Sequence, residues 1–111
     1  MSELKFNSQI ATTIEQSKRL LELGLNPETA DMHHFKQSGE FSIHLGFFID
    51  TYKNISNWYQ PAWSLHRLIE LYKDVEDTSM WSLEDVNYNR LIQCISLAIK
   101  HGAFNKEYLK Q

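Results

Sequence analysis

The chain has 111 residues, of which 42% are hydrophobic, 13% aromatic and 23% charged. This length suits one small domain over residues 1–111, and the composition supports a packed core and argues against intrinsic disorder. The net charge of -3 argues against a duplex-binding protein, which usually presents a basic face. A single cysteine, Cys94, excludes an intrachain disulfide. No apolar run approaches the roughly 18–20 residues that span a membrane, so a cytoplasmic protein is expected.

The chain opens with a leader that is expected to be loose, over residues 1–11. The first helix is predicted over about residues 14–23. Thr12 and Thr13 each offer a hydroxyl as N-cap, followed three residues later by a side chain that completes a capping box. Gly24 supplies the left-handed residue with which such a helix ends.

Two corners of the chain share one pattern, over residues 24–27 and 102–107. In each, a glycine ends a helix, an apolar residue follows, and an asparagine starts a new turn by capping it. We therefore expect two similar structural corners, without a duplication of the surrounding sequence.

Apolar residues alternate with small or polar ones over residues 41–47, which is the pattern of a half-buried strand. The dipeptide 38–39 is a candidate two-residue hairpin turn. This turn would pair residues 32–35 with residues 42–45. A third strand would fall within residues 51–59.

The second helix is predicted over about residues 65–73, with Ser64 as its N-cap. Trp63 before the cap and Leu68 inside the helix are spaced for a hydrophobic staple. Trp63 is therefore assigned to the core.

The third and longest helix is predicted to follow a capping box formed by Ser82 and Asp85 and to end near His101. Its polar positions narrow to one stripe: Asn89, Gln93, Ser96 and Lys100. A helix that is apolar on the rest of its circumference packs on several sides. The expected fold is therefore α+β, with three main helices, the last one central, packed on a small antiparallel sheet.

His33, His34 and His44 are the best cluster of metal-ligating side chains. With a two-residue turn, His33 lies directly across from His44 on one face of the sheet. Two imidazoles so placed could bind a metal ion or respond to pH. A zinc site normally takes three or four protein ligands, and the nearest acids, Asp31 and Glu40, are not at a spacing that would complete one. The alternative to a metal site is that these histidines lie on an exposed polar face of the sheet.

The segment 57–65 combines two tryptophans, a tyrosine and a proline ahead of a helix. Trp58 and Tyr59 are candidate partner-binding residues, because exposed aromatic side chains anchor protein interfaces. The alternative is that they cover the core beside Pro61.

Motifs of enzymes are lacking in this sequence, which contains no P-loop, Gly-x-Gly-x-x-Gly, Cys-x-x-Cys or His-Glu-x-x-His. Ser64 with His66 is a poor nucleophile and base, because residues two apart on a helix point in different directions. Cys94 lies on an apolar helix face, where a buried thiol is unreactive. A non-enzymatic protein without a cofactor is expected.

A resemblance to known proteins is carried by three blocks of the sequence: residues 13–32, residues 61–71 and residues 94–109. In these blocks, in the same order, the chain resembles a family of small uncharacterised proteins of gut Bacteroidales, often associated with prophages or other mobile elements. The resemblance covers roughly half the chain and implies an α+β fold, a bacterial cytoplasmic setting and no assigned reaction or site residue. Residues 73–82 are shorter than the corresponding family segment, which implies a smaller sheet.

The leading functional hypothesis is a non-enzymatic accessory or interaction module of phage or mobile-element origin. It would bind a protein partner, or a second copy of itself, through the segment 58–63 and the sheet face. The alternative is a metal- or small-ligand-binding domain using His33 and His44. A small hydrolase comes third, and nucleic-acid binding, which would need the C-terminal lysines to form a basic patch, comes fourth.

Overall fold

The computed structural model describes residues 9–82 and 84–110. Over these residues the chain forms an α+β domain, as predicted, with four α-helices and one three-stranded antiparallel sheet. The elements in chain order are α1 (Ile14–Glu22), β1 (Met32–Gln37), β2 (Glu40–Leu45), α2 (Ile49–Asn54), β3 (Tyr59–Ala62), α3 (Leu65–Tyr72) and α4 (Tyr88–Lys100). Short 3₁₀ turns lie at Pro27–Thr29 and Lys106–Tyr108.

Helix α1 begins and ends at the predicted signals. The Thr13 hydroxyl accepts the Gln16 N–H at 3.1 Å, and the Gln16 side chain accepts the Thr13 N–H at 3.0 Å, which completes the capping box. Gly24 has φ +101°, and the Leu25 N–H donates to the Leu20 carbonyl at 3.1 Å. This is the Schellman arrangement, which satisfies carbonyls at the helix end.

The second predicted corner ends α4 in the same way, with Gly102 at φ +71°. The first corner also hydrogen-bonds to residues just after the second. The Asn26 N–H donates to the Tyr108 carbonyl at 2.8 Å, and the Lys110 N–H donates to the Gly24 carbonyl at 2.7 Å. The similar corners therefore join the region after α1 to the C-terminal part of the domain.

The predicted hairpin is confirmed, with its turn at Ser38 and Gly39. Both residues have positive φ, +52° and +83°, as a two-residue type I′ turn requires. The register places Met32–Phe35 opposite Ser42–Leu45, as predicted. This register follows from the turn length and the alternating pattern of the second strand.

The third strand lies later than the range predicted for it. Of residues 51–59 only Tyr59 belongs to β3, and residues 49–54 form helix α2 instead. No side chain caps the first turn of α2, which is only six residues long. Such a short helix carries little local signal and depends on packing against its neighbours.

Strand β3 pairs with β1, which gives the strand order β2-β1-β3. The Lys36 N–H donates to the Trp58 carbonyl at 2.8 Å, so even-numbered residues of β1 bond towards β3. Pro61 lies opposite His33, an odd-numbered residue. The proline therefore occupies a position where the ladder with β1 needs no N–H.

The predicted loose leader ends earlier than residue 11. Residues 1–8 lie outside the described residues, but Ala11 and Thr12 are buried. The Thr12 N–H donates to the Trp63 carbonyl at 2.8 Å, and the Trp63 N–H donates to the Thr12 hydroxyl at 3.0 Å. The segment just before α1 is thus bonded to the chain that follows β3.

Helix α3 has the predicted cap, because the Ser64 hydroxyl accepts the Arg67 N–H at 3.1 Å. Trp63 and Leu68 are fully buried in one hydrophobic cluster, so the core assignment of Trp63 is confirmed. The start predicted for the next helix is wrong. Ser82 and Asp85 bond side chain to side chain at 2.9 Å in a local turn, and α4 begins only at Tyr88.

Asn87 explains this later start of α4, because its side chain accepts the Arg90 N–H and caps the helix. The predicted polar stripe is also partly wrong, since Ser96 is buried while Leu97 is exposed. Helix α4 packs against both α1 and α3. The buried core is drawn from helices α1, α3 and α4, the corners after α1 and α4, and the residue that follows β3: Leu20, Leu25, Trp63, Leu68, Leu71, Tyr72, Tyr88, Leu91, Ile92, Ile95, Ala98 and Phe104.

Candidate functional site

Trp58 combines a fixed backbone with an exposed side chain. Its N–H donates to the Ile55 carbonyl at 2.9 Å, and its carbonyl accepts the Lys36 N–H at 2.8 Å. The side chain is nevertheless 57% exposed. A large aromatic side chain on a well-anchored backbone is typical of the residues that dominate binding energy at protein interfaces.

The neighbours of Trp58 across the sheet are Lys36 on β1 and Phe41 on β2, which are paired in the register. The Lys36 ammonium lies 5.8 Å from the centroid of the Phe41 ring, within the range of a cation–π contact. The Phe41 side chain is itself exposed. We call Trp58, Lys36 and Phe41 the hairpin-end surface, because they lie at the end of the sheet that carries the β1–β2 turn.

Tyr59 does not share the exposure of Trp58, although the sequence assigned partner binding to both. Its side chain is only 3% exposed and its ring lies 4.3 Å from that of His33, in a stacked arrangement. Its hydroxyl accepts the Phe48 N–H at 2.8 Å. Tyr59 therefore supports the sheet from within and offers little surface to a partner; successive residues of a strand point to opposite faces, so two adjacent aromatics rarely share one surface.

His33 and His44 are directly opposite each other, as the hairpin register requires. Their ring centroids are 5.2 Å apart and the rings are stacked, with an angle of 23° between their planes. The His33 Nδ1–H donates to the Gly46 carbonyl at 2.7 Å. In the neutral ring this bond leaves Nε2 as the nitrogen with a lone pair, the arrangement that commonly orients metal-ligating histidines.

The surroundings of this histidine pair supply little else for a metal ion. The His44 Nε2 lies 2.8 Å from the Ser42 hydroxyl. The Asp31 carboxylate is held elsewhere, by the Ser64 N–H at 2.8 Å and the Ser64 hydroxyl at 2.5 Å. Within residues 9–82 and 84–110 no group of three His, Cys, Asp or Glu side chains is placed to hold a metal ion.

The side chains considered for nucleophilic chemistry have structural partners. Ser64 bonds to Asp31 and to the first turn of α3, while His66 lies 3.4 Å from Glu70 on the same helix. Cys94 is half-buried beside Tyr72, whose hydroxyl donates to the Glu76 carboxylate at 3.1 Å. Burial, followed by the neighbouring Cys94 and Glu76, raises the pKa of Tyr72 well above its usual range.

An open groove of about 720 Å³ lies between α1 and α4, and sequence reasoning missed it. Gln16 on α1 donates to the Asn89 side chain on α4 at 3.0 Å across the two helices. The groove is lined by acidic, basic and amide side chains and by one apolar residue: Glu15, Gln16, Lys18, Arg19, Glu22, Asn89, Ile92 and Gln93. The groove depends on how two helices distant in sequence pack, so no local pattern could have revealed it.

Comparison of the chain with family models, curated proteins and solved structures finds no match. Among the described residues no helix is both long enough and apolar enough to cross a bilayer.

Proposed function

We propose that this protein is a non-enzymatic interaction module that binds a protein partner through the hairpin-end surface. The observation that carries the proposal is the exposed indole of Trp58, whose backbone is fixed by two hydrogen bonds. An aromatic anchor beside a cationic side chain and a second aromatic ring is a combination that suits a protein interface. The resemblance to proteins of prophages and mobile elements favours an accessory role in a bacterial cytoplasm.

The structural partners of the reactive side chains support a binding role over a hydrolytic one. Ser64 donates to Asp31 and caps α3. His66 contacts Glu70, which lies on the same helix, α3. A nucleophile must be free to attack a substrate, but the Ser64 hydroxyl accepts the Arg67 N–H as the cap of α3, and Asp31 also holds the Ser64 N–H. These contacts suit the start of a helix.

Affinity capture tests the proposal, with immobilised wild-type protein, the Trp58→Ala variant and a lysate of a gut Bacteroidales bacterium. We expect at least one protein whose recovery falls about tenfold or more with Trp58→Ala, since losing an interface anchor costs about 2 kcal/mol or more. Met80→Ala is the matched control, because Met80 is 90% exposed and lies outside the hairpin-end surface. Equal recovery of every captured protein by wild type and Trp58→Ala would contradict the proposal.

A metal-binding role for His33 and His44 is the second candidate, favoured by the stacked pair and the fixed tautomer of His33. Titration with zinc or nickel should then raise the melting temperature of the wild-type protein. The His44→Ala variant should lose that rise, because one of the two ligands is gone. An unchanged wild-type melting temperature at excess metal would end this hypothesis.

A further inference from the structure

The outer edge of β2 is open, and its sequence has none of the usual protection. Among residues 9–82 and 84–110, strand β2 lies at the edge of the sheet and pairs with β1 alone. Natural edge strands are commonly protected by lysine, proline or a bulge, since unpaired N–H and C=O groups invite another strand. Residues 40–45 contain no lysine, arginine or proline, and their one acid, Glu40, adjoins the turn.

The hydrogen-bond pattern shows which residues of β2 point outward. The Gly46 N–H donates to the Asp31 carbonyl at 2.7 Å, which continues the hairpin ladder by one pair. Hydrogen-bonded positions alternate in an antiparallel ladder, so even-numbered residues of β2 bond towards β1. The N–H and C=O groups of Phe41, Ile43 and Leu45 therefore face away from the sheet.

The side chains of these same three residues form an apolar row on one face. Phe41 is exposed, Leu45 is 83% exposed, and Ile43 between them rests on the small cluster of Ala11, Met32 and Ala62. The outward backbone groups and the apolar side chains therefore belong to the same residues. A strand that pairs here would gain both hydrogen bonds and apolar contacts.

We propose that β2 pairs antiparallel with β2 of a second copy of this chain, about a twofold axis at Ile43, to form a continuous six-stranded sheet. This register places Ile43 opposite its own copy and Phe41 opposite Leu45 of that copy, so all three outward residues are used. On the opposite face Ser42 meets His44 of the second copy. No charged carboxylate, lysine or arginine lies within residues 41–45, so the pairing brings no such charges together.

A second copy of β2 is the expected partner strand because the outward row of β2 is complementary to itself. A twofold axis requires each contact to occur twice with the partners exchanged, and the row Phe41-Ile43-Leu45 meets this requirement with apolar contacts throughout. The inference does not rest on the proposed function, because the pairing uses the outer edge of β2, whereas Trp58 precedes β3 on the other side of β1. Phe41 is the one residue that the two surfaces share. A six-residue edge makes a small interface, so we expect a weak dimer whose population depends on protein concentration.

Sedimentation equilibrium over a concentration series tests the dimer with two matched variants. Leu45→Lys places a charge opposite Phe41 of the second copy and should raise the dissociation constant about tenfold or more, with the fold retained because Leu45 is exposed. Met80→Lys makes the same change in charge at another exposed apolar residue and should leave the dissociation constant unchanged. A wild-type monomer up to about 1 mM, or a Leu45→Lys variant that dimerises like wild type, would overturn the proposal.

Disulfide cross-linking tests the register in a Cys94→Ala background, which removes the native thiol. Hydrogen-bonded partners across an antiparallel ladder have Cα atoms about 5.5 Å apart, within the range that a disulfide spans. Ile43→Cys should therefore form a covalent dimer under mild oxidation much faster than Ser42→Cys. Faster cross-linking by Ser42→Cys, or none by either variant, would overturn the register centred on Ile43.

Discussion

The two edges of the small sheet differ in how their unpaired backbone groups are treated. On the β3 edge, Pro61 has no outward N–H, and the chain just after it is bonded to Thr12 in both directions. On the β2 edge, the N–H and C=O groups of Phe41, Ile43 and Leu45 point outward beside apolar side chains, and no other described strand pairs with them. One edge is thus closed by the chain itself, and the other is suited to a second chain.

Trp63 directly follows β3, the strand at the closed edge, and its side chain lies in the core. Removing that side chain should give the largest loss of stability. Its ring is fully buried, and its indole N–H donates to the Thr29 hydroxyl at 2.9 Å. Trp63→Ala should lower the free energy of unfolding by about 3–5 kcal/mol, because it leaves a large cavity. Urea unfolding measures this loss.

Trp58→Ala is the comparison for that measurement, because Trp58 lies just before β3, as Trp63 lies just after it, but its side chain is mostly exposed. Its free energy of unfolding should change by less than about 0.5 kcal/mol. Equal and large losses from both tryptophan variants would show that Trp58 is part of the core, which would remove the basis of the hairpin-end surface.

Thr12 closes the β3 edge by hydrogen bonds to Trp63. Thr12→Val should therefore lower the free energy of unfolding, because valine has nearly the same shape but no hydroxyl. Valine leaves the Trp63 N–H without its bond to the hydroxyl, and also removes the 2.7 Å contact with the buried Ser17 hydroxyl. We expect a loss of about 1–3 kcal/mol in the free energy of unfolding, the cost of an unsatisfied buried donor. Thr12→Ser keeps the hydroxyl and should lose less; a valine variant as stable as wild type would contradict the role of this bond.

Alkaline pH should lower the free energy of unfolding, because two tyrosines, Tyr72 and Tyr88, lie in the main core. Burial is the main cause that raises the pKa of both Tyr72 and Tyr88 above the usual value near 10, and the Tyr88 hydroxyl accepts the Leu65 N–H at the start of α3. The folded state favours their neutral forms, so this contribution is complete below pH 10 and is lost as the pH rises towards the raised pKa values.

Urea unfolding at pH 9 and pH 11 measures this effect. The combined variant Tyr72→Phe/Tyr88→Phe should lose less stability between these two pH values than wild type does. An equal decline in both proteins would show that the two hydroxyls do not cause it.

The open side of the sheet was predictable from local sequence, and the closed side was not. Residues 38–39 set the turn and the alternation over residues 41–47 sets the register, so the facing histidines and the apolar row follow from the chain alone. The strand that closes the other side contains a proline and only four residues, and it pairs with β1 through contacts between distant parts of the chain. The burial of Tyr59 and the groove between α1 and α4 depend on the same kind of distant contact.

Met32 allows the most direct comparison, since it lies between Leu45 on the open edge and Ala62 on the closed edge. Leu45→Ser should change the free energy of unfolding by less than about 0.5 kcal/mol at a dilution where the protein is monomeric, because the side chain is already in water. Ala62→Ser should cost about 1 kcal/mol or more, because Ala62 is fully buried and its new hydroxyl must find a partner there. A loss at Leu45 as large as that at Ala62 would mean that the open edge is covered within the monomer, and no surface would then remain on β2 for a second copy.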